Sequence, residues 1–369
     1  MTAWIIRLGL TSGFILLGYS LYFFRRLQHA QSSNHEQTIP AASVIVCARN
    51  EENHLPTLIP LLIAQDHPAL EIVLVNDNST DQTPSIMQEW AYRFPQKIRY
   101  VSVPENHIRQ AGGKKDAFRL GVISATHSVI LCTDADCMPA TKSWASIMTG
   151  MLVESTDFVL GHSPTSSGFF LSQWDNFITA LQYLSYAEAG IPYMGVGRNM
   201  AFRKETWLSF TATADHRHLS SGDDDLPVNQ LATATNTKTC RHPNALVYTR
   251  GENSFREWIL RKVRHSRTGL WYKPHHQILL SGYAISKWLF YSCCLLSICS
   301  LSSSAIFLLS LLLAMHYGFL HSPLTTLGYP KLKKTFPFAD LIHSWAIALL
   351  PVLLMLPVSD YWRHHTTEK

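Results

Sequence analysis

Two carboxylates one residue apart, Asp134 and Asp136 in Thr133-Asp134-Ala135-Asp136, follow directly on the apolar run Val129–Cys132. Residues two apart in extended chain point to the same side, and paired hard oxygen ligands suit Mg2+ or Mn2+. The chain has no Gly-x-Gly-x-x-Gly and no Gly-x-x-x-x-Gly-Lys-Ser/Thr, so no glycine-rich loop offers backbone amides to a diphosphate. A metal held by Asp134 and Asp136 would supply the missing positive charge. Taken alone the motif also reads as a turn, as any Asn/Asp/Ser cluster does. Cys132 and Cys137 flank it, but no second cysteine pair with zinc-type spacing accompanies them.

The elements around the motif give it weight. Ser43–Cys47, Glu71–Val75, Ile98–Val101 and Val129–Cys132 are short apolar or β-branched runs, separated by helix-compatible segments Leu55–Ala64, Thr83–Arg93 and Lys114–Ile123. Such alternation predicts an α/β domain with parallel strands and right-handed crossovers, and in open sheets of this kind ligands bind beyond the carboxyl ends of the strands. Ala48-Arg49-Asn50-Glu51 follows the first run and Asn76-Asp77-Asn78-Ser79-Thr80-Asp81 the second, so three polar segments converge on one edge.

These residues resemble the family 2 glycosyltransferases, inverting enzymes of the GT-A fold that use nucleotide-diphosphate sugars. The likeness covers roughly residues 41–270. It rests on Val44–Glu52, on Val75–Thr83, on Gly113-Lys114-Lys115-Asp116-Ala117 and on Asp134-Ala135-Asp136, in family order. The resemblance implies a Rossmann-like nucleotide-diphospho-sugar transferase domain in which Ala48, Arg49 and Glu51 line the nucleotide pocket. Asp77 would contact the base, Lys114 would approach the nucleotide, and Asp134 and Asp136 would take ribose, diphosphate and metal. Asn76 stands where the family often has Asp.

Ser221-Gly222-Asp223-Asp224-Asp225-Leu226 looks like the family's acidic motif, with Asp224 at the position of the catalytic base and Asp223 beside it on the substrate side. An acceptor hydroxyl is a poor nucleophile, and a carboxylate opposite the departing diphosphate can remove its proton. Neighbouring like charges raise the pKa of one member of such a cluster. The same residues would also cap a helix starting near Leu226. Gly195-Val196-Gly197-Arg198-Asn199 resembles the loop on the acceptor side, placing Gly197 and Asn199 near substrate; a glycine turn leading into a strand is the plainer reading. Arg261-Lys262-Val263-Arg264-His265 occupies the place of Gln-x-x-Arg-Trp in processive members. The resemblance then gives Arg264 the departing diphosphate and Arg261 a substrate contact. Arg261 in place of Gln and His265 in place of Trp favour transfer of one or a few sugars over chain polymerisation.

The 369 residues are 47% hydrophobic, with the apolar residues gathered at the two ends, and the formal net charge is +5. Trp4–Phe24, followed by Arg25 and Arg26, predicts a membrane anchor within residues 1–26 that leaves the domain at 41–273 in the cytoplasm. Ile278–Leu320 predicts a transmembrane hairpin broken near Ser302–Ser304, with Lys287 its only formal charge. An interfacial segment is expected over 321–340, with Lys331, Lys333 and Lys334, and a last span over 341–358. The expectation is an integral protein of the inner cell membrane, part of the machinery of the cell envelope. Its partners would be a nucleotide-diphosphate sugar, with UDP-sugars favoured, and a membrane lipid or lipid-linked acceptor. Basic residues cluster beside the apolar segments, which suits lipid or phosphate and gives no footprint for nucleic acid.

Other classes fit less well. A processive polysaccharide synthase shares the motifs, a nucleotidyltransferase can use an Asp-x-Asp metal pair on a similar sheet, and a membrane scaffold could retain the domain without catalysis. The seven cysteines read as free thiols, and Asp215-His216-Arg217-His218 and His275-His276 as solvated histidines without a matched further ligand.

Overall fold

The computed structural model describes residues 2–28, 38–104, 114–213, 222–299 and 303–354, and the chain divides into two compact units. Gly113, Ser221, the histidines at 216 and 218 and the end of the last expected span lie outside the described residues. Along the chain, α1 (Thr2–Tyr22) precedes β1 (Ala42–Ala48), α2 (Leu55–Ile63), β2 (Leu70–Asn76), α3 (Thr83–Arg93), β3 (Ile98–Ser102), α4 (Lys114–Ser124) and β4 (Val129–Cys132). Next come β5 (Met138–Pro139), α5 (Trp144–Gly150), β6 (Phe158–Leu160), α6 (Phe170–Glu188), β7 (Met200–Arg203), α7 (Lys204–Thr213), α8 (Asp225–Leu231), β8 (Thr237–Thr239) and β9 (Val247–Tyr248). The later helices are α9 (Phe255–Gly269), α10 (Pro274–Cys299), α11 (Ser303–Thr326), α12 (Phe336–Ala348) and α13 (Leu350–Leu354).

One unit, residues 31–167, 190–250 and 359–369, is built on a seven-stranded sheet of order β3-β2-β1-β4-β7-β6-β8. β1 pairs in parallel with β2 and β4, β2 in parallel with β3, and β7 lies antiparallel between β4 and β6. The strands expected from the sequence are found with ends moved by one residue at most. Every residue of β1 is buried, as a strand covered on both faces requires. Val44, Val46, Ile72, Leu74 and Leu131 pack with Leu58, Ile59 and Leu62 of α2 and Trp144 and Met148 of α5. Against the other face α4 comes so close that a Cβ on Gly121 would meet Ile45 Cγ2 at 2.8 Å and Val75 Cγ2 at 2.9 Å. The chain runs outward from β1 to β2 and β3, then returns to β4 on the other side of β1, so the loops after β1 and β4 meet where strand order reverses.

The other unit, residues 1–30, 168–189 and 251–358, is helical. Among the described residues three helices are long and apolar enough to cross a membrane: Ala3–Leu27, Pro274–Cys299 and Ser303–Thr326. α1 packs tightly on the hairpin through Gly9 and Gly13, where added Cβ atoms would meet Cys293 Cβ and Leu309 Cδ2 at 3.0 Å, and Leu312 Cδ1 and Phe290 Cε2 at 2.8 Å. This is the small-residue packing by which helices associate in lipid. The last apolar segment, expected as a span over 341–358, is described as far as residue 354. Residues 321–340 continue α11, turn through Pro330–Lys334 and begin α12, and the 13 residues of α12 end at Ala348. α13 follows after Leu349 alone, so 336–354 run for about 28 Å at about 1.5 Å per residue, close to a ~30 Å hydrocarbon layer.

Lys287, isolated in the sequence, has a partner. Its ammonium pairs with Asp340 of α12, and the two residues are 2% and 0% exposed. The Asp340 carboxylate also accepts from Tyr291 Oη at 2.5 Å and from Trp174 Nε1 at 3.0 Å.

Candidate active site

The site in the sheet unit begins at the ends of β1, β2 and β4. β1 delivers Ala48, buried, and Arg49, exposed, at its carboxyl end. Asn50 follows at φ 58°, a left-handed turn that Asn tolerates. It accepts from Thr80 N at 2.8 Å and donates its own N–H to Ser79 Oγ at 3.1 Å, binding the loops after β1 and β2 together. Glu51 N donates to Thr83 Oγ1 at 2.7 Å, and its carboxylate meets His54 Nδ1 at 2.6 Å. Burial pushes the Glu51 carboxyl up, and the Asp136 and Asp134 charges push it the same way against the His54 hydrogen bond. Glu51 therefore shares the electrostatic space of the metal-type pair.

Asp77 is buried at the end of β2, its N–H bonded to Ala48 O at 2.9 Å. Asn76 ties neighbouring segments together, since its amide donates to Ser102 Oγ at 3.1 Å and accepts from Ser79 N at 3.1 Å. An ionised Asp at this position could accept but not donate.

After β4, ligand atoms of Asp134, Asp136 and Cys137 lie within 4.8 Å of one another. The two half-buried carboxylates supply hard oxygen donors suited to Mg2+ or Mn2+. Burial raises the Cys137 thiol well above its ordinary pKa, and the Asp134 and Asp136 charges add to this. Lys114, at the first position of α4, forms an ion pair with Asp134. Desolvation alone would lower the Lys114 pKa, but Asp134 and Asp223 outweigh it and hold the ammonium charged.

Asp224 caps α8, its Oδ1 accepting from Asp225 N at 2.9 Å, while Oδ2 accepts from Gly197 N at 2.8 Å. The cap read from the sequence thus falls on Asp224, the residue also expected as the base. Burial and then the Asp223 charge raise its pKa to about 6, against the opposing Gly197 hydrogen bond. Asp223 anchors the turn through its carbonyl, which accepts from Trp207 Nε1 at 3.1 Å.

Residues 43–206 match the family described as Glycosyl transferase family 2. That stretch of the chain is a family 2 glycosyltransferase domain. A 4,4'-diaponeurosporenoate glycosyltransferase of Staphylococcus haemolyticus is 30% identical to the chain over 122 residues, 33% of this chain and 31% of the relative. A beta-monoglucosyldiacylglycerol synthase of Nostoc sp. is 30% identical over 138 residues, 36% of this chain and 28% of the relative. The chain thus spans under a third of the length of these curated relatives. Among solved structures, a mannosyltransferase from Pyrobaculum calidifontis in complex with GDP-Man and Mn2+ aligns with TM-score 0.60 at 18% identity, covering 94% of this chain and 99% of that one, which shows a shared fold.

Within the sheet unit the structure brings together Glu51, Asp134, Asp136, Lys114, Asp223, Asp224 and Gly197. Asn199 departs from its expected substrate contact. It is fully buried, and its side chain accepts from Trp144 Nε1 at 2.9 Å and donates to His162 O at 2.7 Å and Ala245 O at 2.8 Å. Both amide hydrogens are used inside the protein, so Asn199 is a pin between β7 and the loops around it. Arg261, expected at substrate, lies in the helical unit on α9, where it pairs with Glu252 at 2.5 Å and Asp175 at 3.7 Å. Arg264, one turn on, is half-buried and approaches His265 Nε2 at 3.3 Å. Sequence reasoning passed over His54, the partner of Glu51, and Arg198, whose charge acts on Cys137 beside the acidic pair. The signal for Arg198 was a cation directly after Gly197.

Proposed function

We propose that this chain is a membrane-bound glycosyltransferase that moves a sugar, with inversion, from a nucleotide-diphosphate sugar to a lipid or lipid-linked acceptor. The observation that carries the reading is the carboxylate pair Asp134 and Asp136 at the point where strand order reverses, Asp134 ion-paired with Lys114, alongside an Asp224 carboxylate fixed by two backbone N–H groups.

By the resemblance, Asp77 would contact the base, and Ala48, Arg49 and Glu51 would line the nucleotide pocket. Asp134 and Asp136 would hold Mg2+ or Mn2+, which when bound offsets the charge of the diphosphate. Lys114 adds a fixed cation beside Asp134. Asp224, with a pKa near 6, is ionised at neutral pH and basic enough to take the acceptor's proton. Arg264 is assigned by resemblance to the departing diphosphate. A UDP-sugar is favoured as donor. Two relatives carry names built on diaponeurosporenoate and monoglucosyldiacylglycerol, which supports a lipid-type acceptor.

In the helical unit α1 ends beside the end of α11, with Ser322 Oγ donating to Gln28 O at 2.7 Å. Arg25, Arg26 and the lysines at 331, 333 and 334 therefore gather at one end of the bundle. By the positive-inside rule that end faces the cytoplasm of the inner membrane.

The test is to incubate native membranes with radiolabelled nucleotide-sugars, extract the lipid, and repeat with Asp134→Asn and Asp224→Asn. Label must enter the lipid fraction for one donor, and both substitutions must abolish it. Full transfer by Asp224→Asn would reject the base, and absence of any transfer or nucleotide-sugar hydrolysis would reject the enzyme.

A further inference from the structure

We infer that α12 and α13 do not cross the membrane but lie along one leaflet, with their outer face in the boundary between headgroups and acyl chains. The outward residues of this segment are Phe338, Ile342, Trp345, Leu349 and Val352, each exposed. Their spacing alternates between three and four, which sets them on one side of a helix. The polar side chains of α12, Asp340, His343 and Ser344, are buried on the opposite side. A helix facing water has the reverse arrangement, so this polarity names a lipid neighbour.

Both ends of the segment belong to the same side of the membrane. α10 and α11 run in opposite directions as a hairpin, so the start of α10 and the end of α11 share one side. α1 agrees, since Tyr19 Oη near its end donates to Leu279 O near the start of α10 at 2.7 Å. Lys331, Lys333 and Lys334 follow the end of α11 directly and precede α12. At the far end α13 packs against α9. α9 leads into the start of α10 and carries Arg256, Arg261, Lys262, Arg264 and Arg267, cations that belong at headgroup level. His343 of α12 joins the same layer, with Nε2 at 3.0 Å from Asp175, which also holds Lys262 Nζ at 2.6 Å. A segment with one end beside the three lysines and the other against α9 has no end left for the other side.

The depth is consistent. Counting about 20 residues back from the hairpin tip places the hydrocarbon boundary near residues 281 and 321, so Lys287 and its partner Asp340 lie roughly 9 Å below it. This is the depth at which in-plane helices bury their apolar face, about 5–10 Å. Trp345 on the outer face and the three lysines before α12 suit the wet edge of that layer. The neighbouring spans also expose apolar residues, Ile285, Leu296, Phe307 and Leu311 among them, which favours lipid over a single protein partner.

The experiment uses the full chain in vesicles of phosphatidylethanolamine and phosphatidylglycerol, with Cys294 and Cys299 changed to Ser. One nitroxide at a time is introduced through Phe338→Cys, Trp345→Cys or Val352→Cys, and its relative access to oxygen and to a water-soluble nickel chelate gives depth. All three labels are expected at similar shallow depth in one leaflet. A steady change of about 20 Å between positions 338 and 352 would mean a span and overturn the inference. Free access of the nickel chelate at all three, or exclusion of both probes, would overturn it in favour of water or a protein partner. As a readout with native cysteines, the fluorescence lost in Trp345→Phe should be quenched more by lipid brominated near the headgroup than at the chain end; the opposite order counts against the inference.

Discussion

The backbone N–H of Gly197 donates to Oδ2 of Asp224 at 2.8 Å, and a Cβ on Gly197 would lie 3.3 Å from both Oδ2 and Cβ of that aspartate. The glycine lets the backbone approach the proposed base closely enough to aim it. Gly197→Ala should push the carboxylate off its line and lower kcat by roughly 10- to 100-fold, the usual loss for a misplaced catalytic group. The donor KM should stay within about twofold, because Asp134, Asp136 and Lys114 are untouched. Steady-state kinetics that show an unchanged kcat would remove orientation of Asp224 from the role of Gly197.

Transfer should rise with pH and level off above about 6, because burial and Asp223 raise the Asp224 carboxyl to that value and only its ionised form accepts a proton. Below it the rate should fall about tenfold per pH unit. Asp223→Asn removes a like charge, which makes ionisation of Asp224 easier, so the acid limb should move to lower pH. The linkage to stability has the opposite sense. The folded-state value lies above the ordinary 3.8, so the folded chain retains this proton between 3.8 and about 6, and the group's stabilising contribution is lost as pH rises through that window. A pH–rate profile of the native chain and Asp223→Asn with coincident limbs would contradict the coupling.

Asp134 and Asp136 should set metal affinity. Either change to Asn should weaken Mn2+ binding in the presence of a nucleoside diphosphate by at least about 10-fold, read from the free-ion resonance signal, since second-sphere changes alone commonly reach that size. Chelator should stop transfer, and added Mn2+ or Mg2+ should restore it. Lys114→Met removes the ammonium paired with Asp134 and should raise donor KM while leaving metal binding intact or tighter.

The same residues show what could be read from the chain alone. The apolar runs Ser43–Cys47 and Val129–Cys132 and the polar segments after them fixed both strands and site edge, because periodicity and turn chemistry are local signals. The roles of Asn199 and Arg261 were not local. Trp144, His162 and Ala245 around Asn199, and Glu252 and Asp175 around Arg261, come from separate elements that only the fold assembles. Nor could hydropathy alone show that the apolar residues of α12 face outward while Asp340 and His343 face in.

Asn199→Ala should therefore act on stability. It leaves the Trp144 indole N–H and the Ala245 carbonyl without the Asn199 amide, while His162 O keeps the Val247 N–H at 3.3 Å, at a cost of about 2–4 kcal/mol. Activity per folded molecule should change little at permissive temperature. Asn76→Asp should cost about 1 kcal/mol by losing the donor to Ser102. Chemical denaturation alongside kinetics on the folded fraction checks both; a large loss of turnover in folded Asn199→Ala would return that residue to the substrate.

Lys287 and Asp340 should behave as a pair whose members tolerate joint replacement better than single loss. Asp340→Asn keeps an acceptor for Trp174 but strands the buried ammonium, and Lys287→Met strands the buried carboxylate, so each should cost about 3–5 kcal/mol. Lys287→Met combined with Asp340→Asn removes both charges and keeps an oxygen for Trp174 and Tyr291. The double variant should recover most of the loss, because a buried ion pair gives little net stability over a neutral replacement of similar shape. Thermal unfolding of the purified chain in detergent measures all three. Additive losses in the double variant would show that the two side chains do not act on each other, and the account of how a lysine is accommodated within α10 would fail with them.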